Sequence, residues 1–237
     1  MPLPLLLATA LLSLLRCSMF DVECSMFASH AIGTSNTQHR TSHVELEKTE
    51  KQETPITIRK KPAAAVVKTF DPRNRPKDMP ALRKDEAAVT ETGFACAVQI
   101  EVESTMGSDK SVTTKIVGIR TDIRLDITEW LPRNATKKIR DHEDAHRIIS
   151  EHFYTDAQTV AQDLAKPLIG KQLDVKSKDD IQPAIKKAAT EYCQAYLSAI
   201  EAPSQKAQEK FDQLTDHGRN KVPEKRAVQE ALDSVKK

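Results

Sequence analysis

The stretch TDIRLDITEWLPRNATKKIRDHEDAH, residues 121–146, passes from one kind of secondary structure to another. Its first part, 121–127, is dense in β-branched residues and predicts a strand, which Trp130, Leu131 and Pro132 close off. Asn134 then reads as an N-cap, and residues 135 to about 153 predict a helix with Ile139, Ala145, Ile148 and Ile149 inside it. The order is α+β, strands first and helices after.

The neighbouring segments extend both halves. FACAVQIEVES, residues 94–104, sets Cys96, Val98, Ile100 and Val102 against Gln99, Glu101 and Glu103, the period-two signature of a half-buried strand. MGSDKS supplies a turn and residues 112–119 are again β-prone, so a small antiparallel sheet is expected to begin near Gly93. Downstream, residues 156–166 predict a short helix ended by Pro167. Residues 179–201 are the most periodic in the chain, Ile181, Ile185, Ala188, Tyr192, Tyr196 and Ile200 tracing one helical face. A separate helix at 204–215 is broken at His217 and Gly218, and a last one starts at Glu224.

The 237 residues suffice for one domain plus a tail, and three stretches divide them. Residues 4–15, PLLLATALLSLL, are too short to span a membrane and read as the core of a signal peptide over 1–31, with Ser29 and Ala31 near a cleavage site. Residues 32–92 are polar, carry Pro55, Pro62, Pro72, Pro76 and Pro80, and predict a disordered tether with a weak strand at 64–69. Residues 93–237 form the folded domain. A net charge of +2, from 36 Lys+Arg against 34 Asp+Glu, is too balanced for a nucleic-acid reader working by bulk electrostatics. Of four cysteines, Cys96 and Cys193 fall in this domain, where a long-loop disulfide and two buried thiols are both open.

Residues 142–146, HEDAH, carry the chemistry. At ~100° per residue His142 and His146 project from one face a turn apart, close enough for both imidazoles to reach one ion, the geometry of a zincin helix. Glu143 is turned away from the ligand face, where it can take a proton from water without binding the metal. A catalytic zinc needs a third protein ligand. His152 has a metzincin-like spacing, but Ile149 stands where that spacing wants a glycine, and an unbroken helix turns His152 away. His217 in FDQLTDHGRN is the better third ligand, because Gly218 allows a left-handed turn that presents its imidazole from a fixed corner.

Trp130 close to Pro132 after a short sheet, HExxH on the next helix and the distal FDxxTxHG box together resemble the predicted secreted zinc-dependent proteases that carry the domain of unknown function DUF922. The resemblance covers roughly residues 93–230, departs at Phe211, where a tyrosine is usual, and at Lys221, and implies that His217 completes the metal site.

The expectation is therefore a secreted or periplasmic zinc peptidase with a zincin-like domain, in which His142, His146 and His217 hold Zn2+ and Glu143 activates water for attack on a peptide or protein substrate. His152 and Tyr154 are candidate oxyanion donors, and Asp216, Asp144 or Glu151 could orient a ligand imidazole. No nucleic-acid partner is expected, nor lasting membrane insertion once the leader is removed. A non-catalytic helical binding module with an incidental or structural metal, and a zinc amidase acting on cell-wall peptides, are the rival readings.

Overall fold

A computed structural model describes residues 54–83, 86–107 and 111–236. The apolar run at 4–15, the cleavage region, Cys17 and Cys24 lie outside the described residues. The fold is mixed: a five-stranded sheet with helices packed on one face.

The sheet is organised by one strand, β4 (Val112–Pro132), which joins the two segments read separately at 112–119 and 121–127. They are one strand because the apolar period shifts by a residue without stopping. Thr114 and Ile116 are buried, then Ile119, Thr121, Ile123, Leu125, Ile127, Glu129 and Leu131. A β-bulge opposite Glu101/Val102 absorbs the odd residue and keeps both sets facing the helices. Gly118 sits at the bulge, where a Cβ would meet the Glu101 carboxylate at 2.6 Å.

Along one side of β4 runs β3 (Val89–Met106), antiparallel over its whole length. Along the other side lie β1 (Ile56–Lys60) and β2 (Ala64–Phe70), both parallel to β4, and the short β5 (Gln172–Leu173). The sheet is thus mixed, not purely antiparallel, and order begins well before Gly93. The expected tether is overturned from residue 54 onward. Polar composition and prolines argued for disorder, but an edge strand needs only one apolar face, and Pro62 falls in the gap between β1 and β2. The strand expected at 64–69 is β2. Its last residue, Phe70, and Met79 beyond it are buried with Trp130 on the sheet face away from the helices.

The helical layer contains α1 (Lys137–Thr155), α2 (Ala157–Ala165), α3 (Ile181–Thr215) and α4 (Glu224–Ser234). Thr136, not Asn134, caps α1, its hydroxyl accepting from Ile139 N at 3.3 Å. α3 runs straight through Pro203, so the two helices expected at 179–201 and 204–215 are one. Its buried stripe, Tyr192, Tyr196, Ile200, Ser204, Ala207, Phe211 and Thr215, is continuous across the proline, and packing on both sides outweighs the one backbone hydrogen bond that Pro203 cannot donate. Tyr196 and Ile200 pack with Ile123, Leu125 and Ile127 of β4, while Ala207 and Phe211 pack with Ala145 and Ile149 of α1 and with α4. A Cys96–Cys193 disulfide ties β3 to α3 with Cα atoms 5.6 Å apart. Among the described residues no helix is long and apolar enough to cross a membrane.

Candidate metal centre

α1 presents His142 and His146 toward α3 with their Nε2 atoms 3.3 Å apart. The wall they meet is Phe211, fully buried on α3. Its ring stacks on His142 at 4.9 Å and takes His146 edge-on at 5.0 Å, which fixes both imidazole planes. The next residue is Asp212. Its Oδ1 lies 3.1 Å from His146 Nε2 and 3.4 Å from His142 Nε2. Among the described residues this trio is the one group of three or more His, Cys, Asp or Glu side chains whose donor atoms crowd together in this way.

The spacing can be tested against coordination geometry. Ligand atoms ~2.0–2.1 Å from a tetrahedral ion stand about 3.3 Å from one another. The three observed separations, 3.1, 3.3 and 3.4 Å, match the edges of such a face. Two imidazoles and a carboxylate form a donor set suited to a divalent transition-metal ion. The residues present therefore fit a metal, and three of them leave a fourth position open.

The same turn of α3 orients His146. Gln208, four residues before Asp212, sets its Oε1 against His146 Nδ1, while its Nε2 donates to His146 O at 3.0 Å and to the Ser150 hydroxyl at 2.8 Å. An acceptor at Nδ1 holds the proton there and leaves Nε2 bare for an ion. The sequence suggested Asp144, Glu151 or Asp216 for this task. Asp144 and Glu151 instead flank Arg147 at 2.5 and 2.7 Å, and Arg147 also reaches the buried Glu129 at 3.4 Å. The first two are thereby drawn off toward the guanidinium. Burial, with Asp144 adding to it, pushes the Glu129 carboxyl up against the opposing pull of Arg147.

Glu143 is buried beside the trio. Thr90 at the start of β3 sets its hydroxyl 2.8 Å from Glu143 Oε2 and 3.2 Å from the backbone carbonyl of Glu143, as donor to both. Burial pushes the Glu143 carboxyl up from the usual carboxylate range; His146, the Thr90 hydrogen bond and His142 pull it down and are outweighed. At Asp212 the balance runs the other way. Burial raises it, but the two imidazoles set against it hold the carboxyl far below its ordinary range. Burial lowers the His146 imidazole, and Asp212 with Glu143 more than restores it.

His217, expected as the third ligand, is outside the trio, and Asp212 takes that place. The reason is local. Asp212 is still within α3 and points along its inner face, whereas Asp216 and His217 follow the helix end in left-handed conformations, φ 51° and 50°, which swing the His217 ring to the rim. There its Nδ1 lies 3.7 Å from Asp212 Oδ1 and 3.8 Å from Glu86 Oε1. Gly218, φ 78°, lays its backbone against the His142 ring, where a Cβ would come within 3.2 Å of Cγ.

The remaining candidates lie elsewhere. Asp216 pairs with Arg219 at 2.8 Å. His152 turns away on the unbroken α1, as the spacing predicts, and meets the Phe153 ring edge-on at 5.4 Å. Tyr154 is no oxyanion donor: its hydroxyl donates to Lys61 O at 2.8 Å and Ile123 O at 3.0 Å, and burial pushes the phenol up to about 12. It pins β4 and the residue that follows β1 to α1. Thr90, Gln208 and Asp212 are the residues sequence reasoning missed.

No family model, no curated protein and no solved structure matches this chain, so the geometry of the centre carries the functional reading by itself.

Proposed function

We propose that the chain is a zinc-dependent peptidase with a zincin-like helix, in which His142, His146 and Asp212 hold the ion and Glu143 acts as general base. The observation that carries this reading is the convergence of two imidazole nitrogens and one carboxylate oxygen at 3.1–3.4 Å, with a buried carboxylate on the adjoining residue. When bound, zinc would polarise a substrate carbonyl and acidify water at the open position.

The chain's own groups do the rest. Glu143, held by Thr90 and made more basic by burial, takes a proton from the attacking water and returns it to the leaving amine. Gln208 and Phe211 keep the imidazoles in register through turnover. A purely structural metal would call for a fourth protein donor, and the group among the described residues has three. The Cys96–Cys193 disulfide supports an exported protein, since such bonds persist in oxidising compartments. The distal box supports the likeness to the DUF922 proteases, with Asp212 rather than His217 as its working ligand.

The test is Glu143→Gln in metal-loaded protein. Zinc stoichiometry stays at one while casein hydrolysis falls by at least about 100-fold, the lower end of what a general base contributes. Retained hydrolysis, or a wild-type protein that takes up no zinc, refutes the proposal.

A further inference from the structure

Residues 54–83 hold eight Lys or Arg against two acids, Asp71 and Asp78, although the whole chain is nearly neutral. Much of this charge brackets one strand. β2 pairs with β4 along one side, and among the described residues its other edge has no partner strand. Every residue from Ala64 to Thr69 is exposed. Val66 and Val67, which point to opposite faces of the sheet, are 53% and 57% exposed, so the helical layer leaves β2 uncovered.

An edge of this kind invites a further strand, and sheets commonly protect such edges with a lysine or a proline. Neither guards this one. Pro62 lies before the strand, and Lys68 is drawn inward, its Nζ 4.3 Å over the Trp130 ring and 3.2 Å from Asp78 Oδ2. The uncommitted cations stand at the two ends instead. Lys61 precedes β2, its backbone N–H donating to Ile123 O at 3.0 Å, and Arg73, Arg75 and Lys77 come after it, at and beyond the Asp71–Asn74 turn. All four are exposed, and none forms an ion pair among the described residues.

Charge at both ends selects the occupant. A second copy could meet this edge about a two-fold axis only antiparallel, which sets the Lys61 end of each copy against the Arg73–Lys77 end of the other, cation against cation. A single-stranded nucleic acid would find no base-stacking ring in Phe70 or Trp130, each 2% exposed. An extended polypeptide with carboxylates at both ends suits the edge and its charge together.

We infer that the free edge of β2 docks an extended acidic segment of a partner protein by strand addition. The guest backbone continues the ladder along Ala64–Phe70, and β-branched residues at its centre cover Val66 and Val67. Its flanking carboxylates meet Lys61 at one end and Arg73, Arg75 and Lys77 at the other. The surface lies across β4 from β3 and Thr90, so docking stands apart from the metal centre.

The test uses the full chain and a fluorescein-labelled peptide, Glu-Glu-Val-Thr-Val-Thr-Val-Glu-Glu. Binding is read by anisotropy, and strand addition by hydrogen exchange of the 64–69 amides. Two control peptides leave the protein untouched: one carries Gln for every Glu, the other Pro for the central Val. Both are expected to bind at least about tenfold more weakly, and the parent peptide to slow exchange across 64–69. Lys61→Glu combined with Arg75→Glu, both at exposed positions, weakens the parent peptide roughly tenfold and leaves the Gln peptide unaffected. Equal binding of the Pro peptide, or unaltered exchange at 64–69, removes strand addition and overturns the inference. Equal binding of the Gln peptide removes the selection by charge and overturns it too, as does a parent peptide that does not bind. A protein that ignores the peptide but binds a DNA duplex or phosphatidylserine vesicles gives the surface to another class of partner. A dimer in sedimentation velocity that Val66→Asp disperses makes the occupant a second copy, against the inference.

Discussion

Replacing Gln208 by leucine separates the metal function of the α1–α3 contact from its structural one. The change keeps the volume roughly constant but deletes the acceptor at His146 Nδ1 and the donors to His146 O and the fully buried Ser150 hydroxyl. Without a fixed tautomer His146 presents a bare Nε2 only part of the time, and loss of such an outer partner weakens metal binding by about 10–100-fold. Stability falls separately. His146 O retains the Ser150 hydroxyl at 3.1 Å, so the unsatisfied group is mainly the Ser150 oxygen, a loss of about 1–3 kcal/mol. For a domain of this size that corresponds to a Tm drop of roughly 2–12 °C. Zinc affinity is measured by chelator competition, and thermal unfolding by calorimetry in excess chelator so that metal linkage does not enter. Gln208→Glu restores the acceptor but not the donors, and so recovers zinc affinity without recovering the chelated Tm. A Gln208→Leu protein with wild-type zinc affinity would show that the contact does not orient His146 and would remove the argument built on it.

Two further perturbations probe the frame around the centre. The Cys96–Cys193 bond closes a separation of 97 residues, so Cys193→Ser relaxes the unfolded chain by about 4–5 kcal/mol in the chain-entropy account, and the Tm should fall by roughly 8–20 °C by calorimetry with zinc stoichiometry unchanged; a drop under about 3 °C would contradict it. Gly218→Ala places a methyl 3.2 Å from His142 Cγ at φ 78°, a strain of roughly 1–2 kcal/mol before any clash, and should weaken zinc binding as well as stability, whereas a change in stability alone would mean that the turn does not set the His142 ring.

What the sequence makes legible follows the range of the physics. The strand-to-helix change at Pro132, the partial burial of β3 and the pairing of His142 with His146 depend on contacts within one element, where period and spacing are fixed by backbone geometry. β1 was invisible because its value lies in its partner. Ile56 and Ile58 mean little in a lysine-rich stretch until they are set beside Ile119 and Thr121 of β4, more than sixty positions away. Phe70 gives the same lesson, since its burial is supplied by Met79 and Trp130.

Asp212's place beside the two imidazoles is hidden in the sequence when the helix at 179–201 and that at 204–215 are read as separate, on either side of Pro203. Ending a helix at Pro203 resets the helical phase, and the residues after it lose their relation to Tyr192, Tyr196 and Ile200. With α3 unbroken, the buried stripe runs on through Ser204, Ala207 and Phe211 to Thr215, and Gln208 and Asp212 each follow a stripe residue by one position, at the flank that meets α1. From there the chemistry is constrained. An amide and a carboxylate four residues apart, beside two imidazoles four residues apart, can satisfy one ring nitrogen with the amide and gather the other two with the carboxylate. A histidine beyond the helix end can do neither from a left-handed turn at the rim. The residue nearest a glycine looked like the natural ligand because a turn offers freedom, but a metal centre gains more from the rigidity of a packed helix, and Asp212 has that rigidity.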